Sequence, residues 1–472
     1  MHSRVKDAAV VIVGKVAVSS IVLGSGFRAV SDDDYARIVI AQRFAESPSL
    51  DPSGTSWLPF PFWLNGGAMI VLGSSVEVAR GLALVLGVAA SFAVWLSLRW
   101  LGAGRLGAVV GAGAASIFPY SAWLGVAAVP ELPTAALCLL AAASLRRDGS
   151  ARLWGAAAVL VACLSRYEAW PVAAVFAAFC LRSARVHGLA TIVALAGPCG
   201  WLAHGALSHG SAFFFVRRVS EYRRAVGAGN QETWSALSGF PSMLVRCEPE
   251  LIAFVIVAVG AAVALGGSSV LRRHARVICV FGAVLVFLVA GDLRDGAPTH
   301  HGERALLGIW LGLAALAGDA FGEAWGRARG PIGALLLAVP GLAIAPMTAI
   351  VRPWYSARDA FVDRTLEVEM GRAARHAAGP SGRLLIDSRD FGFYAAMAGF
   401  GSPSRSATID DRDPRRPRAP DPFSTPAALR ARLDHEQADW LLVEAEHTPS
   451  AAHFGPVERD GGRLVLIKVR PR

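Results

Sequence analysis

Charge is scarce in this chain of 472 residues. Asp, Glu, Lys and Arg make up only 17% of it, hydrophobic residues 54%, and the mean hydropathy is +0.45. A soluble protein of this size rarely holds that balance, so an ordinary soluble globular class is excluded. Cysteine is scarce too, and none of the six forms a CxxC or a Cys/His spacing of zinc type. Cys138, Cys163, Cys180, Cys199 and Cys279 fall in apolar runs, where a thiol acts as a small hydrophobe. Cys247 stands alone in a polar stretch, so no disulfide framework is visible. Internal repeats of fixed period are absent. No A-x-A cleavage site follows the first apolar run, although Arg4 and Lys6 precede it, so it reads as an uncleaved helix. The net charge of +10 does not gather into one surface, because the arginines lie mostly between apolar runs. No nucleic-acid partner is expected from that distribution.

What is present is a series of apolar runs near twenty residues, the mark of a polytopic membrane protein. The pattern gives about eleven spans. They are expected near 8–30, 81–98, 106–120, 132–145, a broken pair over 156–182, then 189–207, 251–271, 277–290, 306–320 and 332–350. Arginine clusters at 4–6, 99–105, 146–152, 182–185, 272–276 and 327–329 then share one side, which the positive-inside rule makes cytoplasmic. The pair over 156–182 is broken by Ser165-Arg-Tyr-Glu-Ala-Trp-Pro171, whose charges and proline place a turn there. Residues 65–73 are apolar but too short to cross, and suit an interfacial segment. The run Phe213 to Arg224, with four arginines and three phenylalanines, reads as an interfacial helix.

Beyond about residue 355 the composition turns soluble. Residues 360–378 have helical periodicity, and 383–387, 440–444 and 463–469 read as buried strands. Residues 388–400 and 426–435 take the places of helices, and 410–421 form a charged, proline-rich loop. The expected organisation is a membrane domain over 1–354 and a small α/β extramembrane domain over 355–472, on the outer face.

The first outer loop, Ser31 to Leu64, carries the most chemistry. It opens with Asp32, Asp33 and Asp34, continues through Tyr35, and ends in Trp57-Leu-Pro59-Phe-Pro61-Phe-Trp63. Acids at the mouth of a span face water or a polar cavity, because hydrocarbon is costly for them. Adjacent carboxylates raise one another's proton affinity, so Asp32 or Asp33 suits a general base. The plain alternative is an acidic cap on the following helix. Arg166, Tyr167 and Glu168 sit at the apex of the broken pair, where arginine can clamp a phosphate or anchor an interface. Glu131, between Pro130 and Pro133, would orient an acceptor or serve as an N-terminal helix charge. Pro298-Thr-His300-His301-Gly-Glu303-Arg304 closes a late outer turn, and its His/Glu set is a minor candidate for a divalent metal.

The acidic turn after the first helix, the D-x-x-Y of Asp32 and Tyr35, and the Pro-aromatic re-entry resemble the first outer loop of GT-C glycosyltransferases. These are polytopic enzymes that use polyprenyl-phosphate sugars, such as the protein O-mannosyltransferase and aminoarabinose transferase group. Three acids stand here where that family commonly has an Asp-Glu pair, and no His or Lys precedes the Pro-aromatic cluster. The resemblance implies sugar transfer from a polyprenyl-phosphate donor to a hydroxyl of a lipid, glycan or protein at the outer face of the plasma membrane. It makes Asp32 or Asp33 the base. It gives Arg166, Arg304, His300 and His301 the donor phosphate, and Tyr35, Trp57, Pro59, Glu131, Tyr167 and Glu168 substrate contacts. No cofactor is implied. The competing class is a transporter or flippase of a lipid-linked substrate, which would hold charges at mid-membrane rather than at span ends.

Overall fold

The computed structural model describes residues 2–182, 187–227, 232–267, 269–294, 296, 301–328, 361–387, 390–409, 413–416 and 421–470. His300, the expected span over 332–350, the boundary between 354 and 355, and part of the loop over 410–421 lie outside the described residues.

Among the described residues, the regular elements of the membrane domain are all helices. In chain order its helices are α1 (His2–Gly24), α2 (Asp32–Glu46), α3 (Phe60–Leu72), α4 (Val76–Leu101) and α5 (Arg105–Ile117). Then come α6 (Pro119–Leu124), α7 (Glu131–Ser144), α8 (Ser150–Cys163), α9 (Trp170–Leu181) and α10 (Gly188–His209). The series ends with α11 (Phe214–Ala225), α12 (Thr233–Cys247), α13 (Pro249–Ala264), α14 (Ser269–Asp292) and α15 (Leu307–Arg327). Among the described residues, helices α1, α4, α10, α14 and α15 are long and apolar enough to cross a membrane, and α12 with α13, bent by 81°, makes up to six. The chain is therefore a multi-pass membrane protein. Helices α3, α5, α7, α8 and α9 are apolar but shorter. The run expected as one span to Tyr120 stops at Ile117, because Pro119 starts the separate helix α6.

Two local features place the site. Between α8 and α9, Arg166 is extended (φ −153°, ψ 145°) and Tyr167–Ala169 form a single 3-10 turn. Pro171 then lies in the first turn of α9, where its missing N–H costs nothing. At α2, Ser31 is an extended N-cap, and the Asp34 carboxylate reaches back to the Ser31 N–H at 3.3 Å. That is the reciprocal half of a capping box, and the three first-turn carboxylates complement the helix dipole.

The buried core of the membrane domain is rich in alanine, and helices such as α5 and α15 also bury glycines, which lets helices approach closely. The crossing of α5 and α15 is the extreme case. Gly107 and Gly111 of α5 face Gly318 and Gly322 of α15 backbone to backbone, and a Cβ on Gly318 would overlap Gly111 main-chain atoms.

The C-terminal part holds α16 (Thr365–Ala378), β1 (Leu384–Ile386), α17 (Phe393–Phe400), β2 (Ser406–Thr408) and α18 (Pro426–Glu436). It continues with β3 (Trp440–Glu444), α19 (Thr448–Ala451), β4 (Val457–Asp460) and β5 (Leu464–Lys468). The sheet order is β2-β1-β3-β5-β4. Strand β1 runs parallel to β2 and β3, with Leu384 opposite Ser406 and Trp440, while β5 is antiparallel to β3 and β4. The three strands read from the sequence are β1, β3 and β5. Strands β2 and β4 carry no buried apolar run, and the four residues of β4 are all exposed. This domain packs onto the first loop. Gln42 of α2 donates to the Ala398 carbonyl at 2.9 Å, Glu46 accepts from Ser402 and Ser404, and Val362 N–H donates to the Ala29 carbonyl at 3.0 Å.

Candidate functional site: an acid–arginine cluster beside an apolar cavity

The three aspartates that open α2 have three different surroundings. Asp34 is buried, and its carboxylate accepts from the backbone N–H groups of Ala128 (3.0 Å), Val30 and Ser31 (3.3 Å each). Burial outweighs the nearby Arg304 charge, so its pKa is pushed up to about 6. Asp32 lies under the guanidinium of Arg364, with Nε to Oδ1 at 2.9 Å and Nη2 to Oδ2 at 3.0 Å. Asp33 remains 47% exposed at its side chain, 3.8 Å from Nη1 of Arg304.

Arg304 sits in the 3-10 turn Gly302–Leu306 that leads into α15, and is 4% exposed. Its Nη2 donates to the Val30 carbonyl at 3.3 Å, just ahead of the acids. Arg166 donates to Glu131 at 2.5 Å through Nη1 and to Glu168 through Nε. These carboxylates hold the Arg166 guanidinium in its charged form despite its burial.

Arg37, one turn after Asp33 on α2, completes the group, and the sequence reading missed it. Its guanidinium lies 4.4 Å from the Trp57 ring centre and 5.9 Å from that of Phe62. It is within electrostatic reach of Glu131, Asp33, Arg166 and Arg304, and burial pulls its pKa below the ordinary value. The signal was weak because Arg37 reads as an ordinary polar position of an amphipathic helix. Among the described residues the buried Nε atoms of Arg37 and Arg304 find no acceptor, and neither does Oε2 of Glu131 a donor. Buried guanidinium N–H groups without acceptors are expensive, so a site with two of them is matched to an anion.

Beside this cluster is an apolar cavity of about 210 Å³. Arg37, Phe62, Leu86, Thr134, Leu137 and Ser165 are among the residues that line it. The wall also includes Pro130 and Ala128, so the cavity abuts both Glu131 and the N–H that holds Asp34.

The fold thus brings together Asp33, Glu131, Arg166, Glu168 and Arg304, with Trp57 joined through Arg37. The other candidate residues have separate partners. Tyr35 is buried between α2 and the C-terminal domain, its hydroxyl accepting from Arg80 at 3.4 Å. Pro59 is the N-cap of α3. Tyr167 stacks on Phe215 at 4.3 Å and accepts from Trp201 Nε1 at 3.2 Å. His301 takes a left-handed conformation (φ 56°) and pairs with Glu303 at 3.4 Å. A different trio could hold a metal ion: Asp51, His204 and His209 offer ligand atoms all within 4.8 Å of one another. One carboxylate and two imidazoles suit a divalent transition metal.

No family model matches this sequence, and no curated protein matches it. Solved structures do match in fold: the chain has the fold of ArnT and of an archaeal oligosaccharyltransferase, which is the fold that the GT-C resemblance implies. The crystal structure of ArnT from Cupriavidus metallidurans bound to undecaprenyl phosphate has a TM-score of 0.59 and 13% identity, covering 98% of this chain and 99% of that one. ArnT in its apo state gives 0.59 with 14% identity over the same shares. The apo oligosaccharyltransferase of Archaeoglobus fulgidus gives 0.54 with 13% identity, covering 95% of this chain and 70% of that one.

Proposed function

We propose that this protein is a glycosyltransferase that moves a sugar from a polyprenyl-phosphate donor to an acceptor hydroxyl. The observation that carries the reading is the pair of guanidinium Nε atoms, on Arg37 and Arg304, that have no acceptor among the described residues, beside a carboxylate and an apolar cavity. An anionic headgroup on an apolar tail fits that combination. The fold shared with ArnT, which was crystallised with undecaprenyl phosphate, supports the same ligand class.

In this reading Asp33 takes the proton of the acceptor hydroxyl. The acceptor oxygen attacks the anomeric carbon as the bond to the phosphate oxygen breaks, and polyprenyl phosphate leaves with the electron pair. Arg304, Arg37 and Arg166 stabilise the charge that grows on the departing phosphate, as preorganised donors do in a low-dielectric site. Glu131 and Glu168 keep Arg166 oriented. Asp33 is preferred to Asp32 because it is the more exposed acid and has no bidentate partner among the described residues. The chemistry requires no cofactor, since the arginines supply the cationic charge. On this reading the site faces the outer side of the plasma membrane with the C-terminal domain extracytoplasmic, which the one-sided arginine clusters support. The acceptor is a lipid, glycan or protein hydroxyl.

The test is a reconstituted assay in liposomes with a panel of polyprenyl-phosphate sugars. Release of polyprenyl phosphate by the native protein, lost in Asp33→Asn of unchanged thermal stability, is the expected result. Movement of intact donor across the bilayer without cleavage would overturn the reading in favour of a flippase.

A further inference from the structure

Three consecutive carboxylates in one helical turn repel one another, and this fold treats each differently. Asp34 is sunk under backbone N–H groups, Asp33 faces the arginine cluster, and Asp32 is bound by a residue 332 positions away. That residue, Arg364, belongs to the approach to α16 in the C-terminal part. Its Nε and Nη2 hold both oxygens of Asp32, while Nη1 is fastened to Glu367 at 3.0 Å and Asp390 at 2.9 Å. Glu367 is in turn held by Arg463 at 2.5 Å, and Arg463 reaches Glu444 at the end of β3 at 3.0 Å. The guanidinium is thus oriented by its own domain before it meets the first loop, and a planar fork so fixed imposes one geometry on its carboxylate partner.

We infer that Arg364 is a positioning residue of the transferase site: it neutralises Asp32 and sets the first turn of α2, so that Asp33 faces Arg304 as the reactive acid. The inference rests on the reading of Asp33 as the base. It makes the extramembrane domain a working part of the site.

The electrostatic consequence has a definite sign. Asp33 faces Arg304 of the turn before α15, Arg37 of its own helix, Arg166 of the α8–α9 break and Tyr222 of α11. Asp34 and Glu131 add negative charge nearby, and Glu367 and Asp390 surround Arg364. None of these charges is itself removed by changing Arg364. Without Arg364, Asp32 becomes an uncompensated negative charge next to the base, and like charge favours protonation. With Asp32→Asn instead, the Arg364 charge is left over and disfavours protonation.

The experiment measures donor cleavage by the full-length protein in liposomes across pH for Arg364→Gln, Asp32→Asn, the double variant and Asp33→Asn. Arg364→Gln is expected to move the acid limb of kcat/KM upward by about one pH unit, a tenfold change in proton affinity. Asp32→Asn is expected to move it downward, and the double variant to return near the native profile. A merely structural contact would lower rates in both single variants without opposite shifts of the limb. Unshifted limbs in both single variants, with Asp33→Asn inactive, would overturn the role of Arg364. Native turnover by Asp33→Asn would instead overturn the base assignment. Should Arg364→Gln fail to fold, the near-isosteric Asp32→Asn decides the matter through the direction of its shift.

Discussion

At the scale of single residues, the site depends on cations that have more donors than acceptors. Arg304 is buried, spans from the Val30 carbonyl to Asp33, and keeps its Nε unpaired among the described residues. Arg304→Ala should therefore lower turnover by at least ~10²-fold, as loss of an oxyanion donor does. Arg304→Lys should recover only part of this, because a point charge cannot replace a planar fork. Steady-state donor cleavage checks both. Asp34 makes a separate prediction about stability. Its pKa is raised from 3.8 to about 6, so the folded state favours the protonated form. The stabilisation that Asp34 contributes is complete below pH 3.8 and is lost as pH rises through about 6. Thermal midpoints in detergent should carry that falling contribution between these values, and Asp34→Asn should remove it. An unchanged pH profile in that variant would show that Asp34 titrates elsewhere.

At the scale of elements, glycine decides how closely α5 and α15 cross. Gly107 and Gly111 meet Gly318 and Gly322 with no room for a side chain at Gly318, and Arg304 lies in the 3-10 turn that leads into the same helix α15. Gly318→Val should force the pair apart at a cost on the order of 3 kcal/mol. The expected readout is a fall in thermal midpoint together with reduced donor cleavage, whereas the same change at Gly326, which has open space around it, should leave both near native. The sequence reading did not single out these glycines, and which helices they join is decided only by packing. The break between α8 and α9 was legible, since charge, aromatic and proline coincide there. Arg37 was not legible, because its neighbours Trp57 and Phe62 come from beyond the end of its own helix.

At the scale of the whole molecule, the proposed orientation has the loop at Asp148 in the cytoplasm and the C-terminal domain on the other side, and it rests on the positive-inside rule applied to the one-sided arginine clusters. Reporter fusions at Asp148 and at Gln437, an exposed C-cap position after α18, should report opposite compartments. The same compartment for both would overturn the orientation. The docking of α2 on the C-terminal domain, through Gln42 on Ala398, Glu46 on Ser402 and Asp32 on Arg364, ties the extramembrane domain to the acidic loop. A soluble tail attached only by a linker would lack those contacts.

The sequence by itself determined the membrane class, the position of the acidic loop, the broken helix pair and three of the five strands. It could do so because hydropathy, charge bias and strand patterning are local signals, read within twenty residues or so. The resemblance carried by Asp32 and Tyr35 pointed to the GT-C fold that the solved structures share. Only the tertiary structure decided which acid is exposed. Asp32, Asp33 and Asp34 are chemically identical neighbours, and what separates them is Arg364, Arg304 and the Ala128 N–H. Those partners lie 332, 271 and 94 positions away in the chain, beyond any local pattern, and they meet only when the helices pack.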